Sequence, residues 1–86
     1  IAISRPVRGA QCIEAVRASG GVFVSVSDAE IIGALRSALR MGLYCEPTCA
    51  SALAAVRKAT ALRDPIVVPL TGHGLKTSQA IAAALG

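Results

Sequence analysis

The chain has 86 residues, 53% of them hydrophobic, and a net charge of +4. That length allows one small domain, and that composition excludes a disordered tail. Its nine Lys and Arg residues are scattered without a basic run or an aromatic stacking platform, so no nucleic-acid partner is expected.

The elements follow in chain order. Ile1-Ala2-Ile3 reads as the end of a strand, and Pro6 and Gly9 turn the chain. Ala10 to Ala18 reads as a helix with Ile13 and Val16 on one face, stopped by Ser19-Gly20-Gly21. Gly21 to Ser27 alternates, with Val22, Val24 and Val26 on one side, and is expected to be a strand. Ser27-Asp28-Ala29-Glu30 fits a capping box. The helix it opens should turn Ile31, Leu35, Ala38 and Leu39 to a core, with Ile32 beside them and Arg36 and Arg40 outside. Gly42 ends it. Leu43-Tyr44-Cys45 is a link or a strand stub.

Glu46-Pro47 opens a third helix, since proline is tolerated in a first turn. Its core face is expected at Ala52, Leu53, Val56 and Thr60. Arg63-Asp64-Pro65 is a turn, and the β-branched run Ile66 to Leu70 a second strand. A last helix should use Thr77 or Ser78 as its cap and Ile81 and Leu85 as anchors. Helices alternating with strands imply parallel pairing. The fold class is therefore α/β, a partial parallel sheet of two or three strands with about four helices. So incomplete a sheet suggests that residues 1–86 are one α/β segment of a larger domain.

With one Phe, one Tyr and no Trp, the core must be aliphatic and alanine-rich. No stretch approaches the roughly 20 apolar residues of a membrane span, and no leader is recognised at the start. Cys12, Cys45 and Cys49 are an odd number without a disulfide framework. Reduced thiols in a cytoplasm, with no membrane partner, are the expectation. Cys45, Cys49 and His73 supply at most three ligands, so no metal site is assigned.

The chemistry is expected at Thr71-Gly72-His73-Gly74-Leu75-Lys76-Thr77-Ser78, between a strand-like run and a helix. Ligands of open α/β sheets gather at such strand ends. Generic phosphate motifs do not fit. Leu75 separates Gly74 from Lys76, which breaks a P-loop, and Thr77 stands where a dinucleotide fingerprint needs its last glycine. His73 is a base on general grounds, though a structural role is favoured for it. A plain glycine turn without a ligand stays open on the residues alone.

Thr71-Gly72-His73-Gly74-Leu75-Lys76 resembles the closing motif of threonine synthases, pyridoxal-phosphate enzymes of the tryptophan-synthase-β-like fold. Two stretches agree with this in order. Arg5-Pro6-Val7-Arg8-Gly9, with Ser19-Gly20-Gly21 and Val26-Ser27-Asp28-Ala29-Glu30, is similar to the segment ahead of the family's late helices. Glu46-Pro47-Thr48-Cys49-Ala50-Ser51-Ala52 is similar to its Glu-Pro-x-Ser-Ala-Ala helix start, with Cys49 in place of Ser. Thr77 departs from the common Gly-Leu-Lys-Asp form.

The resemblance implies the C-terminal part of a three-layer αβα domain. It implies pyridoxal phosphate as cofactor, with cofactor-binding residues Thr71, Gly72, Gly74 and Glu46. Thr71 would meet the pyridine nitrogen. The implied reaction converts O-phosphohomoserine and water to threonine and phosphate. Threonine dehydratase-like lyases, or a truncated non-catalytic interaction domain, are the alternatives. No catalytic residue is assigned within these 86 residues. Lys58 and Lys76 lie in the wrong motifs to be the Schiff-base lysine, so the chain alone is expected to be inactive. The expected partners are a small-molecule substrate and further copies in a homo-oligomer.

Overall fold

Local sequence decides where the helices begin and end. In a computed structural model that describes residues 3–86, α1 spans Gly9–Ala18, α2 Asp28–Arg40, α3 Pro47–Lys58 and α4 Ser78–Leu85. A short 3-10 turn, Gly74–Thr77, leads into α4.

The capping box ahead of α2 forms as the sequence implies. The Ser27 amide donates to the Glu30 carboxylate at 2.6 Å, and the Glu30 amide donates to the Ser27 hydroxyl at 3.3 Å. Two amides that a helix start leaves without partners are thus satisfied. At the other end Gly42 adopts φ +81°, a conformation that costs glycine little. Pro47 takes the first position of α3, where its missing N–H is no loss.

The core lies where α2 packs on α3, closed at one side by α4. Its buried residues are Ala34, Leu35 and Ala38 from α2, Cys45, Cys49, Ala50 and Ala54 at and in α3, and Ile81 from α4. Most of these side chains are small, so the helices approach closely. Among the described residues Leu35 is the one large side chain shut off completely, at 0% exposure, a burial that contributes about 1.5–3 kcal/mol. Ile31, Leu39, Leu53, Tyr44 and Leu85 pack half-buried against this core. Lys58 ties the end of α3 back to α2, reaching the Ser25 carbonyl at 3.0 Å and the Glu30 carboxylate at 3.3 Å. Arg36 reaches the Leu85 carbonyl at 3.4 Å.

The expected partial parallel sheet does not form. Among the described residues there is no strand, and β pairing is limited to one antiparallel bridge between Cys45 and His73. Residues 21–27 and 66–70 run without regular structure and without a ladder partner. They border a groove of about 740 Å³ floored by Ala52, Ala55 and Val56 of α3. A strand needs a neighbour for its N–H and C=O groups, and these two runs do not pair with each other. The alternation read in residues 21–27 survives only in part. Val26 packs against the core, whereas Val22, expected on the same side, is 76% exposed. The strand stub at Leu43-Tyr44-Cys45 amounts to the single bridge at Cys45.

Three helix details also differ. α1 buries no residue, and Ile13 is exposed. The face of α3 is set by Cys49, Ala50 and Ala54 with Leu53 beside them, while Thr60 lies exposed beyond the helix end. Alanine on every side of α3 leaves too little contrast in hydrophobicity to mark the buried stripe. Thr77 sits at the cap position of α4, but its hydroxyl caps nothing; it is buried without a hydrogen-bond partner among the described residues. The strand end read at Ile1-Ala2-Ile3 falls mostly outside the described residues.

Candidate functional site

The start of α3 and the turn at residues 71–74 are distant in sequence but joined by backbone. The Glu46 amide donates to the Gly72 carbonyl at 3.1 Å, and the Gly74 amide donates to the Tyr44 carbonyl at 2.9 Å. With the Cys45–His73 bridge these bonds clip the two segments antiparallel. Glu46 is extended, with φ −73° and ψ 155°, so its carbonyl still accepts from the first turn of α3.

Both glycines of the turn face side chains from the other segment. A Cβ on Gly72 would fall onto the Glu46 carboxyl group, with the Glu46 Cγ 2.6 Å away. A Cβ on Gly74 would lie 2.7 Å from the Tyr44 ring. Each glycine therefore lets a particular side chain lie against the backbone. Both are buried. Tyr44 then extends past Gly74, and its hydroxyl meets that of Ser78 at 2.9 Å.

Thr71 stands on the outer edge of this clip, with its residue surface exposed. Behind it lies Cys49, buried in the first turn of α3. The Cys49 Sγ accepts from the Gly72 amide at 3.1 Å and lies 3.6 Å from the Thr71 Oγ1. Cys45 is buried nearby, and its burial pushes the thiol up, with the neighbouring Cys49 adding to the shift. His73 turns its Nδ1 inward to accept from the Leu75 amide at 3.2 Å, and its ring meets Tyr44 edge-on at 5.5 Å. That contact caps the 3-10 turn. Lys76 approaches the Glu46 carboxylate at 3.9 Å from an exposed position.

All four residues singled out from sequence as cofactor contacts thus come together. Thr71, Gly72 and Gly74 form the turn, and Glu46 lies against it. Two neighbours were missed. Tyr44 was read as part of a link, and Cys49 as a stand-in for serine without a task. The signal for Cys49 was its place three residues after Glu46, which puts it in the first turn facing whatever Glu46 touches.

Residues 1–72 match the family described as pyridoxal-phosphate dependent enzyme. The chain belongs to that family. Among curated members, it is 38% identical to a threonine synthase of Methanosarcina acetivorans over 94% of this chain and 22% of the relative. It is 36% identical to a threonine synthase of Methanocaldococcus jannaschii over 93% of this chain and 21% of the relative. A threonine synthase of Synechocystis is 38% identical over 88% of this chain and 21% of the relative. The chain therefore spans about a fifth of the length of these relatives. No solved structure gives a significant match. The cofactor of the family is pyridoxal phosphate, and its αβα architecture accounts for the helices but not for the missing sheet. No helix among the described residues is long and apolar enough to cross a membrane.

Proposed function

We propose that this segment forms the wall of a threonine-synthase active site that faces the pyridine ring of pyridoxal phosphate. In this reading the complete enzyme converts O-phosphohomoserine and water to threonine and phosphate. The single observation that carries it is the placement of Thr71. Its residue is exposed, while the Cys49 sulfur lies behind its hydroxyl at 3.6 Å and is itself held by the Gly72 amide at 3.1 Å. A hydroxyl held in this way suits a ring nitrogen, which needs one hydrogen-bond partner at a fixed place. The names of the relatives, threonine synthases in each case, supply the reaction.

When bound, the cofactor supplies an electron sink for bond cleavage beside an amino group. Thr71 sets how strong that sink is. A carboxylate at this place would hold a proton on the ring nitrogen, whereas a neutral hydroxyl leaves the ring nearer neutral. Gly72 and Gly74 let Glu46 and Tyr44 lie against the turn, and so fix the wall that carries Thr71. Glu46 lies behind Gly72, 18% exposed, with Lys76 partly offsetting its charge.

The test is Thr71→Val in the complete enzyme. It keeps the shape and removes the hydroxyl, a loss worth roughly 1–3 kcal/mol at a buried bond. Pyridoxal phosphate affinity or turnover should fall about ten-fold or more. Unchanged cofactor binding and kinetics would return Thr71 to a purely structural role.

A further inference from the structure

We propose that Cys49 is a positioning residue that fixes the direction in which the Thr71 hydroxyl donates. The inference rests on the reading above, that Thr71 meets the ring nitrogen. It goes beyond it by assigning a second residue and a proton arrangement to the contact.

The argument is a count of hydrogens. A thiol has one hydrogen and can also accept. The Cys49 sulfur accepts from the Gly72 amide at 3.1 Å, and that amide makes no other hydrogen bond among the described residues. The sulfur also contacts the Thr71 Oγ1 at 3.6 Å. Two arrangements are open to that contact. If the Thr71 hydroxyl donates to sulfur, its only hydrogen is used inward and its outer side offers lone pairs alone. If the thiol donates to Thr71, the hydroxyl keeps its hydrogen for the outer side.

The Gly72 amide favours the second. Its N–H engages one lone pair of the sulfur, which makes the sulfur a poorer acceptor for another donor and the thiol hydrogen a better donor toward Thr71. The hydroxyl then donates outward. A pyridine nitrogen without a proton offers only a lone pair, so it needs a donor. The relay Gly72 N–H to Cys49 S–H to Thr71 O–H thus presents one, selecting the unprotonated ring. The relay is built rather than incidental: Cys49 is 5% exposed, and Pro47 and the Glu46–Gly72 backbone bond fix the turn of α3 that carries it.

The experiment is a double-mutant cycle in the complete enzyme, with Thr71→Val, Cys49→Ala, their combination, and Cys49→Ser. Pyridoxal phosphate is titrated by its visible absorbance, and amide hydrogen exchange at Gly72 is followed without cofactor. Cys49→Ala should weaken cofactor binding about five- to ten-fold and speed exchange at Gly72. Cys49→Ser, which keeps a donor and an acceptor, should restore most of the affinity. The combined variant should bind no more weakly than Thr71→Val, because both changes break one relay.

A full additional loss in the combined variant overturns the proposal, since Cys49 would then act by packing. So does unchanged affinity in Cys49→Ala while Thr71→Val is impaired, a result that leaves the role of Thr71 standing. If Thr71→Val itself binds normally, the ring contact fails and the relay with it. Should Cys49→Ala not fold, Cys49→Val fills the space without a thiol hydrogen and carries the same comparison.

Discussion

Replacing Gly72 by alanine isolates the contact that shapes the turn. The φ of Gly72 is not positive, so alanine meets no backbone strain there. The whole cost comes from the Glu46 side chain, whose Cγ would lie 2.6 Å from the new methyl and whose carboxyl group would lie nearer still. Two responses are open. Glu46 can leave its rotamer, at about 0.5–1.5 kcal/mol. Or the turn can retreat, losing the Glu46–Gly72 backbone bond and the Gly72–Cys49 bond, at about 1 kcal/mol each. Gly72→Ala should therefore destabilise the chain by about 1–3 kcal/mol. Glu46→Ala removes the obstacle and little else, because Glu46 makes no side-chain cap and its pair with exposed Lys76 is a weak one. In that background Gly72→Ala should be nearly neutral. Urea denaturation of the 86-residue chain and the three variants, followed by circular dichroism, measures the coupling. An equal loss in both backgrounds would refute the packing of Glu46 on Gly72.

The start of α2 should be sensitive to acid. Its Glu30 carboxyl is held below the usual carboxylate range, first by the Ser27 amide, then by the Ser27 hydroxyl and Lys58. A depressed folded pKa gives stability that is present above the ordinary glutamate value and is lost as pH falls through the folded one. Helix content should drop over that window, and Glu30→Gln should abolish the dependence; a fall of the same size in that variant would count against it. Among the thiols, exposed Cys12 should react with iodoacetamide at neutral pH well before buried Cys45, whose thiolate is scarce because burial raises its pKa. Mass mapping of the first-labelled peptide checks the order, and early labelling at Cys45 would contradict it.

What was legible in the sequence was local. Ser27 and Glu30 are three residues apart and settle each other, and Pro47 marks the first turn of α3 by its own chemistry. Gly42 marks the end of α2 in the same way. The runs 21–27 and 66–70 look like strands by β-branching, yet a strand exists only with a neighbour, and neither run supplies one. The buried stripe of α3 was hidden because Ala50 and Ala54 look no different from Ala52 and Ala55. Thr71, Gly72, Gly74 and Glu46 were found through motif resemblance, and their adjacency was not deducible from spacing. The spacing from Glu46 could place Cys49 in the first turn of α3, but its bond to an amide 23 positions away leaves no trace in periodicity.

The clip between residues 44–46 and 72–74 has a consequence for cleavage of the chain. Residues 60–65, which join α3 to the second extended run, are exposed throughout, as is typical of sites open to a protease. A cut there would leave the 71–74 turn and α4 attached to nothing covalent on the α3 side. They would still be held by the two backbone bonds of the clip, by Tyr44 on Ser78 and by Ile81 in the core. What the connector contributes is chiefly local concentration. The two pieces carry complementary halves of one wall, so separately made peptides ending and beginning near Arg63 should reassemble it when mixed.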